Sequence, residues 1–294
     1  MRDAVVIGAG LAGLTAALRL AHCGAKVTLV TKGIGGLQLS QGTVDLLGYS
    51  DSGRVAQPLA EVETHIASRP GHPYSHFTPE FIAESANWLK EVLGPKLLVG
   101  DPRQNVVIPT SLGALRPTSL YQPSMAAGIL AAGKSYVIVG LKRLKDFYPK
   151  IIAENLSRQT TADGTPIQVR SLIVDVEIRK DEVDTTGTNH ARALDNAAMR
   201  ERFVAAIAPH LREGEVVGLP AVLGLNDLDA WKDIEKRLGH EVFEIAMQPP
   251  SILGMRLNQE LTALVKAQAR FIMGSHVTGI ETKDGAVTAV SIST

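Results

Sequence analysis

The sequence predicts an α/β fold in which one α/β unit is interrupted by a second. Three observations point there. Residues 4–7 (AVVI) form a short apolar run, as in a strand buried on both faces, and a glycine turn and an amphipathic stretch follow directly. A second strand–glycine–helix pattern starts near residue 134. The last segments, 271–273, 277–282 and 286–293, read as strands again, so the chain is expected to return to its first unit.

Taken in order, Leu11–His22 places Leu11, Leu14, Leu18 and Ala21 on one face, and Gly24 closes that helix at its C′ position. Val27–Val30 supplies the second strand and completes a βαβ unit. Residues 33–80 are punctuated by Gly, Ser, Asp and Pro and read as loop, with a helix over Pro79–Val92 after them. The stretch from Gly94 to Pro123 reads as irregular, with short strands near 96–99 and 105–108. Tyr136–Val139 is a strand, and a helix from about 142 to 158 follows Gly140. Val169–Ile178 has strand character, and the charged run Arg179–Asp184 with its TTGTN continuation reads as loop. Asp195 or Asn196 caps a helix reaching Ile207. Val216–Leu219 and Val242–Ala246 are strands around a helix over 227–238, and Ser251 caps a helix to about 269. Lys283-Asp284-Gly285 turns the final hairpin. The division expected is 1–133, holding a dinucleotide; 134–269, an inserted substrate or cap part; and 270–294, strands returning to the first part.

Composition narrows the function. Of 294 residues 45% are hydrophobic and 20% charged, which excludes a disordered chain. Lys+Arg and Asp+Glu number 30 each, so no global positive field draws nucleic acid or an anionic membrane. The single cysteine, Cys23, makes no internal disulfide or CxxC site and reads as a small packing residue. The chain enters its first strand pattern without a leader and has no apolar run long enough to span a bilayer. A cytoplasmic location is expected, with any membrane association made through a partner.

The strongest local signal is Gly8-Ala9-Gly10-Leu11-Ala12-Gly13, set between strand and helix. Gly8 allows a tight turn, Gly10 lets the backbone approach a pyrophosphate, and Gly13 allows close helix–strand packing; the helix N-terminus offers N–H donors to the diphosphate. This is the mark of a Rossmann-like FAD/NAD(P)-binding unit. The carboxylate that would grip a ribose about twenty residues further on is missing. Thr31-Lys32 stands in its place, which weakens the nicotinamide reading and leaves a flavin nucleotide, FAD or FMN. No metal site is expected: His65, His72 and His76 lie in loop with no carboxylate companion.

The Thr31-Lys32 pair followed by Ser40-Gln41-Gly42 resembles the flavoprotein subunits of succinate dehydrogenase and fumarate reductase. A longer run is more specific. Ser40-Gln41-Gly42-Thr43-Val44-Asp45-Leu46-Leu47 resembles a segment of the B subunits of anaerobic glycerol-3-phosphate dehydrogenase. His72-Pro73-Tyr74, Leu112-Gly113-Ala114-Leu115-Arg116-Pro117-Thr118, Leu194-Asp195-Asn196, Leu219–Leu225 and Pro249–Leu257 are similar to that family in order and spacing. The resemblance extends over essentially the whole chain, and it implies a further C-terminal part in family members beyond the point matching Thr294.

The resemblance implies a flavin-dependent subunit of a complex oxidising sn-glycerol 3-phosphate to dihydroxyacetone phosphate. Electrons would pass to quinone through partners, a flavoprotein catalytic subunit and an iron–sulfur, membrane-associated subunit. On this reading Gly8, Gly10, Gly13, Thr31, Lys32, Ser40, Gly42 and Asp45 hold the cofactor. Alcohol oxidation needs a base, and His72 is the candidate, against the alternative of a solvated loop histidine. A phosphomonoester needs fixed cations; Arg116 and Arg256 are the candidates, against ordinary ion-pair roles. Lys142, Arg143 and Lys145 read more readily as a solvated helix face. Two rival functions stay open: a non-catalytic docking or electron-relay subunit of the same complex, and a nicotinamide-dependent oxidoreductase.

Overall fold

The computed structural model describes residues 2–161 and 163–293. It divides into two compact units, Met1–Ser40 with Gly254–Thr294, and Gln41–Leu253. The division runs at residues 40 and 253, where the sequence places it at 133 and 269. The sheets explain why: the first unit needs only the opening βαβ unit of the chain and a strand from its far end.

That first unit holds three parallel strands, Ala4–Ile7, Val27–Thr31 and Arg270–Met273, with Val27–Thr31 in the middle. Ala4 lies opposite Val27, and Arg270 opposite Thr28. The central strand is buried throughout. Ala4–Ile7 is not buried on both faces as its apolar run predicts. Val5 and Ile7 are 39% and 57% exposed, while Val6 faces the first helix at Gly13. Periodicity cannot tell an edge strand from a central one when both faces are apolar. The helix Leu11–His22 buries Leu14, Ala17 and Leu18, and the Gly24 N–H closes it on Ala21 O. Cys23 is exposed rather than packed. The helix Ile252–Gln268 leads into Arg270–Met273. Asp284 and Gly285, both at positive φ, turn the antiparallel hairpin His276–Lys283 and Ala286–Ser293.

The second unit carries a four-stranded parallel sheet in the order Gln168–Val174, Ser135–Leu141, Glu215–Pro220, Val242–Ile245. The chain winds first to one side of Ser135–Leu141 and then to the other, through the helices Pro149–Leu156, Gly187–Leu194, Ala197–Ile207 and Ala230–Leu238. Glu215–Pro220 and Val242–Ile245 are buried at every residue. At the sheet's partly buried edge Arg170 grips Glu215 with two N–H donors at 2.5 and 2.6 Å. Asn196, not Asp195, caps Ala197–Ile207, its Oδ1 accepting from Ala198 N and Met199 N.

Several readings of this unit are corrected. The helix expected from 142 begins only at Pro149, because a proline tolerated at the first helical position would break a helix running through it. Residues 142–148 are loop, so Lys142, Arg143 and Lys145 are no helix face; they pair with Asp175, Glu177 and Asp184. Residues 33–80 contain the helix Pro58–Ser68, whose Val62 is fully buried. The TTGTN segment begins the helix Gly187–Leu194, capped by Thr186. The stretch 94–123 includes the antiparallel hairpin Val106–Pro109 and Leu115–Thr118.

His190, on Gly187–Leu194, is wholly buried with neither ring nitrogen hydrogen-bonded, and burial lowers its pKa to about 4. The unfolded chain takes up that proton near pH 6.5 and the folded chain does not. Stability is therefore complete above pH 6.5 and declines as pH falls to 4, by about 3 kcal/mol from this residue. Urea midpoints measured between pH 7 and pH 4 check this, with His190→Leu expected to flatten that part of the slope.

Candidate functional site

The carboxyl ends of the three parallel strands in the first unit open on a cleft of about 470 Å³. Ile7–Gly10 line it from the first strand, Val30–Gly33 from the second, and Ser275–Val277 from the segment after the third. Gly8 N donates to Val30 O at 2.8 Å, which fixes the turn to the neighbouring strand. A Cβ on Gly13 would lie 2.1 Å from Gly8 O, so only glycine lets the helix start this close to the strand. A Cβ on Gly10 would meet nothing within 4 Å; the space beside that backbone is open. Gly35, which no sequence motif singles out, packs on the same turn, its Cβ position 2.3 Å from Ala9 O.

The remaining cofactor candidates of this unit are largely held by the protein. Thr31 is buried and donates its hydroxyl proton to Gly33 O at 2.5 Å, leaving only lone pairs for a ligand. Lys32 is exposed at the rim. Ser40 Oγ donates to Leu37 O at 2.7 Å. Arg256 is only 3% exposed and is partnered within the protein, between the buried Leu253 and Leu257 of the same helix.

The second unit brings together three residues singled out separately. Asp45 accepts from Arg116 through one carboxylate oxygen and from Thr118 Oγ1 at 2.5 Å through the other. Arg116 Nη2 donates to Thr43 Oγ1 at 3.0 Å, and its Nε is buried with no partner. Tyr74 joins this group to His72. Its hydroxyl donates to Leu46 O at 3.0 Å, its ring lies 4.8 Å from that of His72, and burial, then the Asp45 charge, raises its pKa. In the sequence Tyr74, Thr43 and Thr118 are visible only as members of the His72–Tyr74, Ser40–Leu47 and Leu112–Thr118 motifs. Gly42 is buried beside Leu253 and Gln122.

Two other motifs meet as scaffold. Asp195 Oδ1 accepts from three consecutive backbone N–H groups, Leu225, Asn226 and Asp227, at 2.8 to 3.0 Å. Leu194-Asp195-Asn196 thereby ties down the end of the Leu219–Leu225 segment.

Residues 3–289 match the FAD binding domain family. The chain is 30% identical to a probable anaerobic glycerol-3-phosphate dehydrogenase B subunit of Halobacterium salinarum, over 99% of this chain and 69% of that protein. It is 28% identical to the corresponding B subunit of Aliivibrio fischeri, over 94% of this chain and 63% of that protein. The B subunit of Pectobacterium atrosepticum is 30% identical over 92% and 66%. The chain belongs to the FAD binding domain family, alongside these B subunits. It spans about two thirds of the length of these curated relatives. No solved structure matches it.

FAD is thus the cofactor to test against the residues. They fit its diphosphate: a glycine turn with open space at Gly10, the first-turn N–H groups of Leu11–His22, which have no partner within the helix and no side-chain cap at Gly10, and a cleft continuing past Thr31 to Ser275–Val277. When bound, FAD supplies a two-electron acceptor. The two glycines predict opposite phenotypes. Gly10→Val, at φ −75°, should fold with stability within about 1 kcal/mol of the parent and lose FAD. Gly13→Ala should destabilise the fold by about 2 kcal/mol or more through its clash with Gly8 O. Thermal melts and flavin content per chain read both.

Proposed function

We propose that this chain is a flavin-dependent subunit of an anaerobic sn-glycerol-3-phosphate dehydrogenase, forming dihydroxyacetone phosphate and passing electrons through partner subunits to quinone. The reading rests on one observation above others: an open glycine turn on a strand-end cleft, in a chain resembling proteins of that name. Oxidation at C2 of the substrate removes a hydride and the hydroxyl proton, and only the hydride is the flavin's to accept.

On this reading residues 1–40 and 254–294 hold FAD through Gly8, Gly10 and Gly13, with Thr31 and Lys32 on the cleft and Ser40 supporting from outside its lining. Residues 41–253 serve substrate, where Gly42 and Asp45 shape the loop bearing on His72 and Arg116. Arg256, buried and already partnered within the protein, is given no contact with the substrate in this reading. The partners are a flavoprotein catalytic subunit and an iron–sulfur, membrane-associated subunit, and the site of action is the cytoplasmic face of the membrane. No helix among the described residues is long and apolar enough to cross one.

One observation favours the rival, a docking or relay subunit: Arg116 is already neutralised by Asp45. The two readings part on a single variant. The chain is loaded with FAD, assembled with its partner subunits, and its flavin absorbance followed as glycerol 3-phosphate is added without oxygen. Arg116→Ala should raise the half-saturating substrate concentration about tenfold or more and change the limiting rate less, because phosphate is held alike in ground and transition states. An unchanged titration hands the function to the docking reading.

A further inference from the structure

His72 opens the single helical turn Pro73–His76 and caps it with its own ring: Nδ1 accepts from Tyr74 N at 3.2 Å. A backbone N–H can only donate, so Nδ1 must present a lone pair. A neutral imidazole has one ring proton, and it therefore sits on Nε2. The general base expected from the sequence needs a free lone pair. In this geometry the only one is taken by the Tyr74 N–H.

The surroundings hold the ring in that state. The Tyr74 ring stands 4.8 Å away at 63° on one side, and the His65 ring 5.0 Å away at 88°. Tyr74 is in turn tied to Leu46 O, one residue from the Asp45–Arg116 pair. Its phenol keeps the proton that makes this bond, since burial and the Asp45 charge both oppose its loss.

We propose that His72 meets its ligand as a hydrogen-bond donor through Nε2–H, recognising an oxyanion of the phosphate-monoester class, with the backbone N–H of Tyr74 fixing this tautomer. The inference rests on the reading of residues 41–253 as the substrate part. It changes the chemistry of that reading: His72 binds, and the hydroxyl proton of the substrate goes elsewhere.

The test is nitrogen NMR on the full chain labelled in histidine, near pH 8 where imidazoles are neutral, with His72→Gln to assign the signals. The expected result is an unprotonated Nδ1 and a protonated Nε2 at His72, retained in Tyr74→Phe, which keeps the backbone N–H. A proton on Nδ1 overturns the inference whatever the ligand, and a changed tautomer in Tyr74→Phe overturns the assignment of its cause to the backbone N–H. Glycerol 3-phosphate is then titrated, with inorganic phosphate in parallel, and the Nε2 signal should move. Glutamine retains a donor at similar reach, so His72→Gln should bind within about threefold of the parent and His72→Leu about tenfold more weakly. Movement with inorganic phosphate alone makes the free anion the ligand and overturns the monoester assignment. An Nε2–H tautomer that responds to neither anion instead overturns the substrate reading beneath the inference.

Discussion

The strand Val27–Thr31 is hydrogen-bonded along both edges, on one side by Ala4–Ile7 and on the other by Arg270–Met273. Parallel neighbours cannot be joined by a tight turn, so each needs a crossover that leaves the sheet and returns. The first crossover is a single helix. The second is everything from residue 32 to residue 269, and it holds a complete parallel sheet of its own. The first unit is thus closed only by the far end of the chain. The same pairing aligns the strands' carboxyl ends, which is why Gly8–Gly10, Thr31–Gly33 and Ser275–Val277 line one cleft.

In the second unit the segment Thr43–Leu47 is held at every residue. Thr43 meets Arg116, Val44 pairs with Leu120, Asp45 meets Arg116 and Thr118, Leu46 O accepts from Tyr74, and Leu47 O accepts from the buried Asn105. An extended segment without a regular sheet partner has backbone groups to satisfy. Here the Leu120 backbone pairs with Val44, the Tyr74 hydroxyl satisfies Leu46 O and the Asn105 amide satisfies Leu47 O, while Arg116 and Thr118 hold the side chains of Thr43 and Asp45. The residues that make this stretch recognisable are largely those that keep it in place. Arg116 is an anchor first, and any ligand role must share its guanidinium with Asp45.

Much of the framework is legible because the local signals agree with the tertiary ones. Gly24 ends a helix, Asn196 starts one, Asp284-Gly285 turns a hairpin, and each does so through backbone geometry that neighbours in sequence dictate. Expectation and structure part where the local signal is mixed. Leu59, Val62 and Ile66 form a helical stripe inside a stretch of turn residues, and Thr186 is a cap disguised as a threonine-rich loop. Pro149 marks the true start of its helix, although the apolar pattern runs on across it.

The α/β class, the glycine turn between strand and helix, and the family are all written in the sequence. Each rests on residues close together along the chain, where steric rules for glycine and proline and the period of apolar residues act. Folding settles which strand is an edge, where the two units divide, and that Asp45, Arg116, Tyr74 and His72 form one group. Those outcomes depend on hydrogen-bond partners that meet only in the folded chain, and a donor's partner is set by distance in space rather than by position in the sequence.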